Sequence, residues 1–321
     1  MKKLLLILIA LPIIGFGQQK TYVPDDNFEQ ALINLGYDNV LDDSVLTSNI
    51  NTVTDLYVQT LGISDLTGLE DFTSLIYLSC WGNQLTSLDV SSLGNLTHLN
   101  CGDIFGGNMI DSLDVRYNPL LIVLYCSNNQ LTSLDVSNNT FLTEFECSSN
   151  QITSLDVSYN TDLISLYCYD NQINVLNVNN NTSLYELACG NNLLTSLDVS
   201  YNTLLYWLYC ETNQITSLDV SDNTDLEGLW CSDNKLTSLD VRTGNNSNML
   251  WDVNLGGFQC SNNPELYCID VDDVAWSDTN WLVSNGDIDV QHYFSANCST
   301  TEIQEHTTNK ELLKVTDLLG R

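Results

Sequence analysis

The chain is poor in positive charge. Nine Lys and Arg stand against 41 Asp and Glu in 321 residues, a formal net charge of −32. Between Thr21 and Asn309 the only basic side chains are Arg116, Lys235 and Arg242. Such a surface repels phosphate backbones and anionic headgroups, so nucleic acid and anionic membranes are excluded as partners. Histidine is scarcer still: His98, His292 and His306 fall in no triad or metal-binding motif. No catalytic or metal-ligating residue is assigned, and no enzyme is expected. The N-terminal apolar run, Leu4–Phe16, is too short to span a bilayer comfortably. Helix-period patterning is missing from the repeated part of the chain, so its connecting segments are expected to be extended rather than helical.

What the sequence has instead is a period. Cys126, Cys147, Cys168, Cys189, Cys210 and Cys231 follow one another at steps of 21 residues. Around each recurs one pattern, in which Leu142, Phe145, Cys147, Ile152, Leu155 and Val157 are the apolar members of one copy. A fixed period of this length predicts a solenoid. Phe145 and Cys147 are two apart, the spacing of a strand with one buried face, and Leu155 and Val157 repeat it. Asn150 and Asn160 each follow three residues after such a pair, where an Asn can turn the chain and bond backbone groups of neighbouring turns. Two stacked Asn ladders are predicted, one through Asn129, Asn150 and Asn171, the other through Asn139, Asn160 and Asn181.

The unit L-x-x-L-x-C-x-x-N-x-L-x-x-L-D-[VL]-x-x-N resembles the leucine-rich-repeat family, in its short bacterial class. The resemblance covers roughly two-thirds of the chain. It implies a β-rich, right-handed superhelix with a parallel sheet, and recognition rather than catalysis. About ten turns are expected, beginning at Val53 and ending with the one that starts at Leu255. At about 4.8 Å per turn the solenoid is roughly 45–50 Å long. Gly102–Gly107 and Arg242–Leu255 carry insertions.

The expected organisation follows. Residues 1–17 form a signal peptide, with Lys2 and Lys3 before the apolar run and Gly15-Phe16-Gly17 before the cut. Residues 18–52 are an N-terminal cap, with a capping box at Asp26–Glu29 and a helix burying Phe28, Ala31, Leu32 and Leu35. The repeats fill 53–271, a C-terminal cap 272–298 and a polar linker 299–309. Residues 310–321 resemble the opening of the sorting domain that addresses Bacteroidetes proteins to type IX secretion. A secreted or outer-surface location is expected, with no membrane insertion after signal cleavage.

Nine of the 11 cysteines occupy one inward position and are read as packing thiols rather than a metal column. Cys268 and Cys298 lie outside that column and are the natural disulfide pair of an exported protein. Asp89, Asp114, Asp135, Asp156, Asp198, Asp219, Asp240 and Asp270 form an outward column. Like charges at strand spacing repel. They must be solvated, hydrogen-bonded to neighbouring Ser and Thr, or bridged by cations; Ca2+ is the one candidate ion, and Asp38–Asp43 is its alternative location. Strand positions beside the buried Leu and Cys vary from turn to turn. Tyr77, Trp81, Tyr125, Tyr167, Tyr169, Trp207, Tyr209 and Trp230 are therefore the candidate ligand-binding residues, suited to a protein or a glycan partner. Two readings remain: an adhesion or binding module using this aromatic and acidic face, or a rigid structural segment of an adhesin.

Overall fold

The computed structural model describes residues 18–249 and 257–299. The expected signal peptide, the sorting segment Lys310–Arg321, nearly all of the linker and Leu255 lie outside them.

Every turn contributes one short strand to a parallel sheet of ten, stacked in sequence order. Its strands number the turns: Asp55–Tyr57, Tyr77–Ser79, His98–Gly102, Val123–Cys126, Glu144–Glu146, Ser165–Tyr167, Glu186–Ala188, Trp207–Tyr209, Gly228–Trp230 and Phe258–Gln259, turns 1 to 10. Pairing keeps equivalent residues opposite one another, as in Leu124↔Phe145 and Phe145↔Leu166. The apolar members of each repeat face inward, and Leu142, Phe145, Cys147, Ile152 and Val157 are all at 0% exposure. The nine column cysteines are free and buried. Burial pushes their thiols up, Cys101 to about 12, so they act as small hydrophobes.

The two Asn ladders close each turn differently. Asn150 is buried and uses its whole amide. Its Oδ1 accepts from Leu131 N at 3.0 Å, while its Nδ2 donates to the carbonyls of Cys126, Cys147 and Ser148. Bonds thus reach back to the preceding turn. Asn160, at 0% exposure, donates Nδ2 to the carbonyls of Val136 and Asn139 at 3.1 and 2.8 Å, and its Oδ1 has no partner. The same holds at Asn118, Asn139, Asn181, Asn202 and Asn223. This second ladder ends at Asn223, and there a second parallel sheet takes over, from Ser217–Asp219 through Ser238–Asp240 and Cys268–Asp270 to Tyr293–Ser295. The extended segment predicted at Leu155–Val157 therefore pairs as a strand only in the C-terminal turns. Tyr293–Ser295 belongs to an eleventh, partial turn inside the expected cap.

Turn 3 ends in a bulge where its register with turn 4 shifts between Asn100 and Gly102. A Cβ on Gly102 would lie 1.9 Å from Ser127 O, and one on Gly107 1.5 Å from Asn128 O. The insertion fits because glycine lets it lie against the next turn.

At the N-terminus a helix, Asp26–Asn34, packs Phe28, Ala31 and Leu32 over turn 1, with Phe28 stacked on Phe72 at 6.4 Å. Two expectations fail here. Asp25, not Asp26, is the N-cap, and accepts from Asn27 N and Phe28 N. Glu29 does not reach back; it is fully buried and accepts from the backbone N–H of Asp42, Asp43 and Ser44. Leu35, expected inside, caps the helix at 43% exposure. At the other end Cys268 and Cys298 are disulfide-bonded, and Trp281 stacks on Phe258 at 4.0 Å beneath Trp276 and Phe294.

Candidate functional site

The outward face of the ten-stranded sheet carries three columns. One holds Tyr77, His98, Val123, Glu144, Ser165, Glu186, Trp207 and Gly228; the next Tyr57, Asn100, Tyr125, Glu146, Tyr167, Ala188, Tyr209 and Trp230. The third, one residue past each Cys, holds Trp81, Ser127, Ser148, Tyr169, Gly190, Glu211 and Ser232. All eight candidate aromatics are half-buried, and the structure sorts them into groups.

Tyr77 lies in a stack with Tyr57 and His98, at centroid distances of 5.0 and 5.5 Å. Between Tyr77 and Tyr125 is a hollow of about 230 Å³ floored by Leu99, Asn100 and Val123. In the middle of the sheet Glu146 is paired in register between Tyr125 and Tyr167. The Tyr125 hydroxyl donates to Glu144, and Tyr167 hydrogen-bonds Glu186. Burial first, then those carboxylates, push both phenols up. Toward the C-terminal end Trp207 stacks on Tyr209 at 6.2 Å, and Tyr209 meets Trp230 edge-on at 5.2 Å. Trp207 folds over the next strand: a Cβ on Gly228 would lie 1.9 Å from Trp207 Cε3. Trp81 and Tyr169 stand apart from these groups in the third column.

Two carboxylates on this face are only partly solvated. Burial pushes Glu146 up, and one hydrogen bond, from Ser127 Oγ at 3.0 Å, opposes it. Glu211 is likewise raised by burial, and its Oε2 is shielded with no partner. Its carboxyl lies over Gly190, where a Cβ would come 2.5 Å from Oε1. Glu211, Tyr57 and the pair of exposed Tyr185 and half-buried Tyr206, stacked at 4.9 Å, were not among the candidates. Glu211 shares the Cys-plus-one column with Trp81 and Tyr169, the signal that would have found it.

The Asp column is held differently. Asp135 accepts from Ser137 N and Oγ, Asp156 from Ser158 N and Asp198 from Ser200 N and Oγ. Asp114 and Asp240 pair with Arg116 and Arg242. These bonds, to the residue two ahead, hold Asp135, Asp156 and Asp198 below the usual carboxylate range. Around Asp38–Asp43 one oxygen each of Glu29, Asp38 and Asp42 lies within 4.8 Å of the others. Glu29 is already committed to three backbone N–H groups and Asp42 to Lys20 at 3.1 Å, so the cluster reads as loop architecture. No described helix is long and apolar enough to cross a membrane.

No family profile and no curated protein matches this chain. Among solved structures, the functional domain of InlJ from Listeria monocytogenes, described as including a cysteine ladder, is 36% identical with a TM-score of 0.69. The match covers 80% of this chain and 58% of that one, so the chain spans less than two thirds of its length. The leucine-rich-repeat protein LIC12759 from Leptospira interrogans is 28% identical, TM-score 0.50, over 54% of this chain and 47% of that one. The internalin InlF of Listeria monocytogenes, at 23% identity and TM-score 0.57 over 78% of this chain and 84% of that one, matches in fold. These three neighbours are bacterial leucine-rich-repeat proteins, and the first is described as including a cysteine ladder, a feature that nine buried thiols form here.

Proposed function

Starting from a chain built as a leucine-rich-repeat solenoid, we propose that it is an exported, non-catalytic recognition module whose concave sheet binds a protein or glycan partner. One observation carries this reading. The Ser-Leu-Asp-Val half of each turn repeats almost unchanged and holds its carboxylates with local hydrogen bonds, whereas the sheet half presents large aromatic and acidic side chains that change from turn to turn. Scaffolding needs uniformity; recognition needs individuality. Half-buried Tyr and Trp on a rigid sheet also lose little conformational freedom when they are covered. The apolar segment Leu4–Phe16 and the resemblance of Lys310–Arg321 to the opening of a type IX sorting domain support delivery to the outside.

A second reading, favoured by the unbroken pairing of ten strands, is a stiff spacer with no ligand of its own. Screening the full chain against glycans and cell-surface proteins separates the two, because only a recognition module gives a saturable partner. The combined variant Tyr167→Ala, Trp207→Ala, Tyr209→Ala is expected to weaken that partner at least about tenfold while the thermal midpoint stays nearly unchanged. Undiminished binding by this variant places the site elsewhere.

A further inference from the structure

The concave face holds anions for which the described chain supplies no cation. His98 stacks on Tyr77 two turns from Glu146, and Lys20, Arg116, Lys235 and Arg242, the lysines and arginines of the described chain, all lie off the ten-stranded sheet. They are bonded to Asp42, Asp114, Gln214 and Asp240 respectively. Glu146 meanwhile is flanked in register by Tyr125 and Tyr167, with the Ser127 hydroxyl as its bonded partner. Glu211 sits over Gly190 next to Tyr209, with one oxygen shielded and unpaired. An ionised carboxylate taken partly out of water and left without a counter-charge is unfavourable. A guanidinium or ammonium placed between tyrosine rings gains both the charge pair and the attraction of the ring faces.

We propose that Glu146 and Glu211 are two cation seats, and that the partner of this face is an extended polypeptide segment carrying two basic side chains. The proposal rests on the concave-face reading above and narrows its ligand. The two carboxylates are three rungs apart in the sheet order. At the usual strand spacing that is about 14 Å, or about 16 Å with their sideways offset of two residues along a strand. Extended chain rises about 3.3 Å per residue, so the two basic side chains stand about four or five residues apart. Ala188, the small residue on the sheet between Tyr167 and Tyr209, leaves room for the backbone that joins them.

The test is selection of a randomised peptide library on the full-length protein, counter-selected on the Glu146→Gln, Glu211→Gln double variant. Both substitutions keep the side-chain shape, and far-ultraviolet circular dichroism checks that the fold persists. The expected result is enrichment of peptides with Lys or Arg pairs four or five residues apart, each losing about tenfold or more in affinity on either single Gln variant. Enrichment of peptides without basic residues, equal binding to the double variant, or no enrichment overturns the proposal. A glycan or neutral peptide that loses binding on the Tyr167, Trp207, Tyr209 variant but not on the Gln variants overturns the cation seats and leaves the concave-face reading standing.

Discussion

The two halves of each turn solve the same problem by opposite means. In the Asp half, an outward carboxylate accepts from the residue two ahead, as Asp156 does from Ser158 N at 2.9 Å, and needs nothing further. In the sheet half, Glu146, in register with Tyr125 and Tyr167, and Glu211, over Gly190, are drawn into partial burial without comparable support. The ladders behind them are reversed. Asn150, behind the sheet, uses every polar atom of its amide; Asn160, behind the Asp half, leaves its Oδ1 unpaired. Rigidity is thus concentrated behind the face whose surface is least satisfied. A recognition surface requires that arrangement, because its exposed groups must hold position while waiting for a partner.

The sharpest way to break this comparison is to remove one Asn from each ladder. Asn150→Ala leaves Leu131 N buried without a partner and takes one of the donors from each of three carbonyls, at an expected cost of about 3 kcal/mol. Asn160→Ala loses fewer bonds and also removes an unpaired oxygen, so its cost is expected to be smaller, about 1–2 kcal/mol. Equilibrium urea unfolding of both variants measures the difference, and equal costs would remove the asymmetry. Next in size is Gly228→Ala. Its Cβ collides with the Trp207 ring, which must swing off the sheet, at an expected cost of about 1–3 kcal/mol and with a change in tryptophan fluorescence. An unchanged spectrum would mean that Trp207 does not depend on the gap.

The smallest effect is pH-dependent and opposite in sign in the two halves. Asp135, Asp156 and Asp198 are lowered by the serines two residues on, so their stabilisation is complete above the ordinary carboxylate range and is lost as pH falls through their folded values. Glu146 and Glu211 are raised by burial, so their ionisation opposes folding at neutral pH and that opposition fades on acidification. Glu146→Gln is therefore expected to raise the thermal midpoint slightly at pH 7 and to leave it unchanged below about pH 4, the ordinary glutamate range. Asp156→Asn is expected to lower the midpoint at pH 7, with the deficit shrinking in acid. Thermal melts across this range follow both.

Much of this architecture is written in the spacing of the residues. The 21-residue period places Phe145 and Cys147 inward and Glu144 and Glu146 outward, because a strand's alternation admits no other reading once one face is buried. What the period cannot carry is contact between unlike turns. Trp207 covering Gly228, and Glu211 covering Gly190, are cross-turn rotamer choices that no single repeat specifies. The N-cap was misplaced by one residue for a related reason. Asp26 and Glu29 have capping-box spacing, but Glu29 is held by backbone from a loop 13 to 15 residues away. A second extended segment was expected in every repeat, yet it pairs as a sheet only from Ser217–Asp219 onward, an effect of neighbouring turns rather than of the repeated motif.

Because equivalent residues stay opposite one another from turn to turn, the sheet works as a ruler with one graduation per repeat. Its graduations can be removed singly. Deleting Asp170–Gly190 joins Tyr169 to Asn191, restores the Cys-x-x-Asn spacing at the junction and takes out one turn of 21 residues. Glu146 and Glu211 then come nearer by one rung, about 4.8 Å, while the columns on either side keep their alignment. A basic segment matched to the parent would be too long for the shortened chain. Repeat number in such a solenoid is thus a variable that resets the length of ligand measured, without altering the chemistry that recognises its ends.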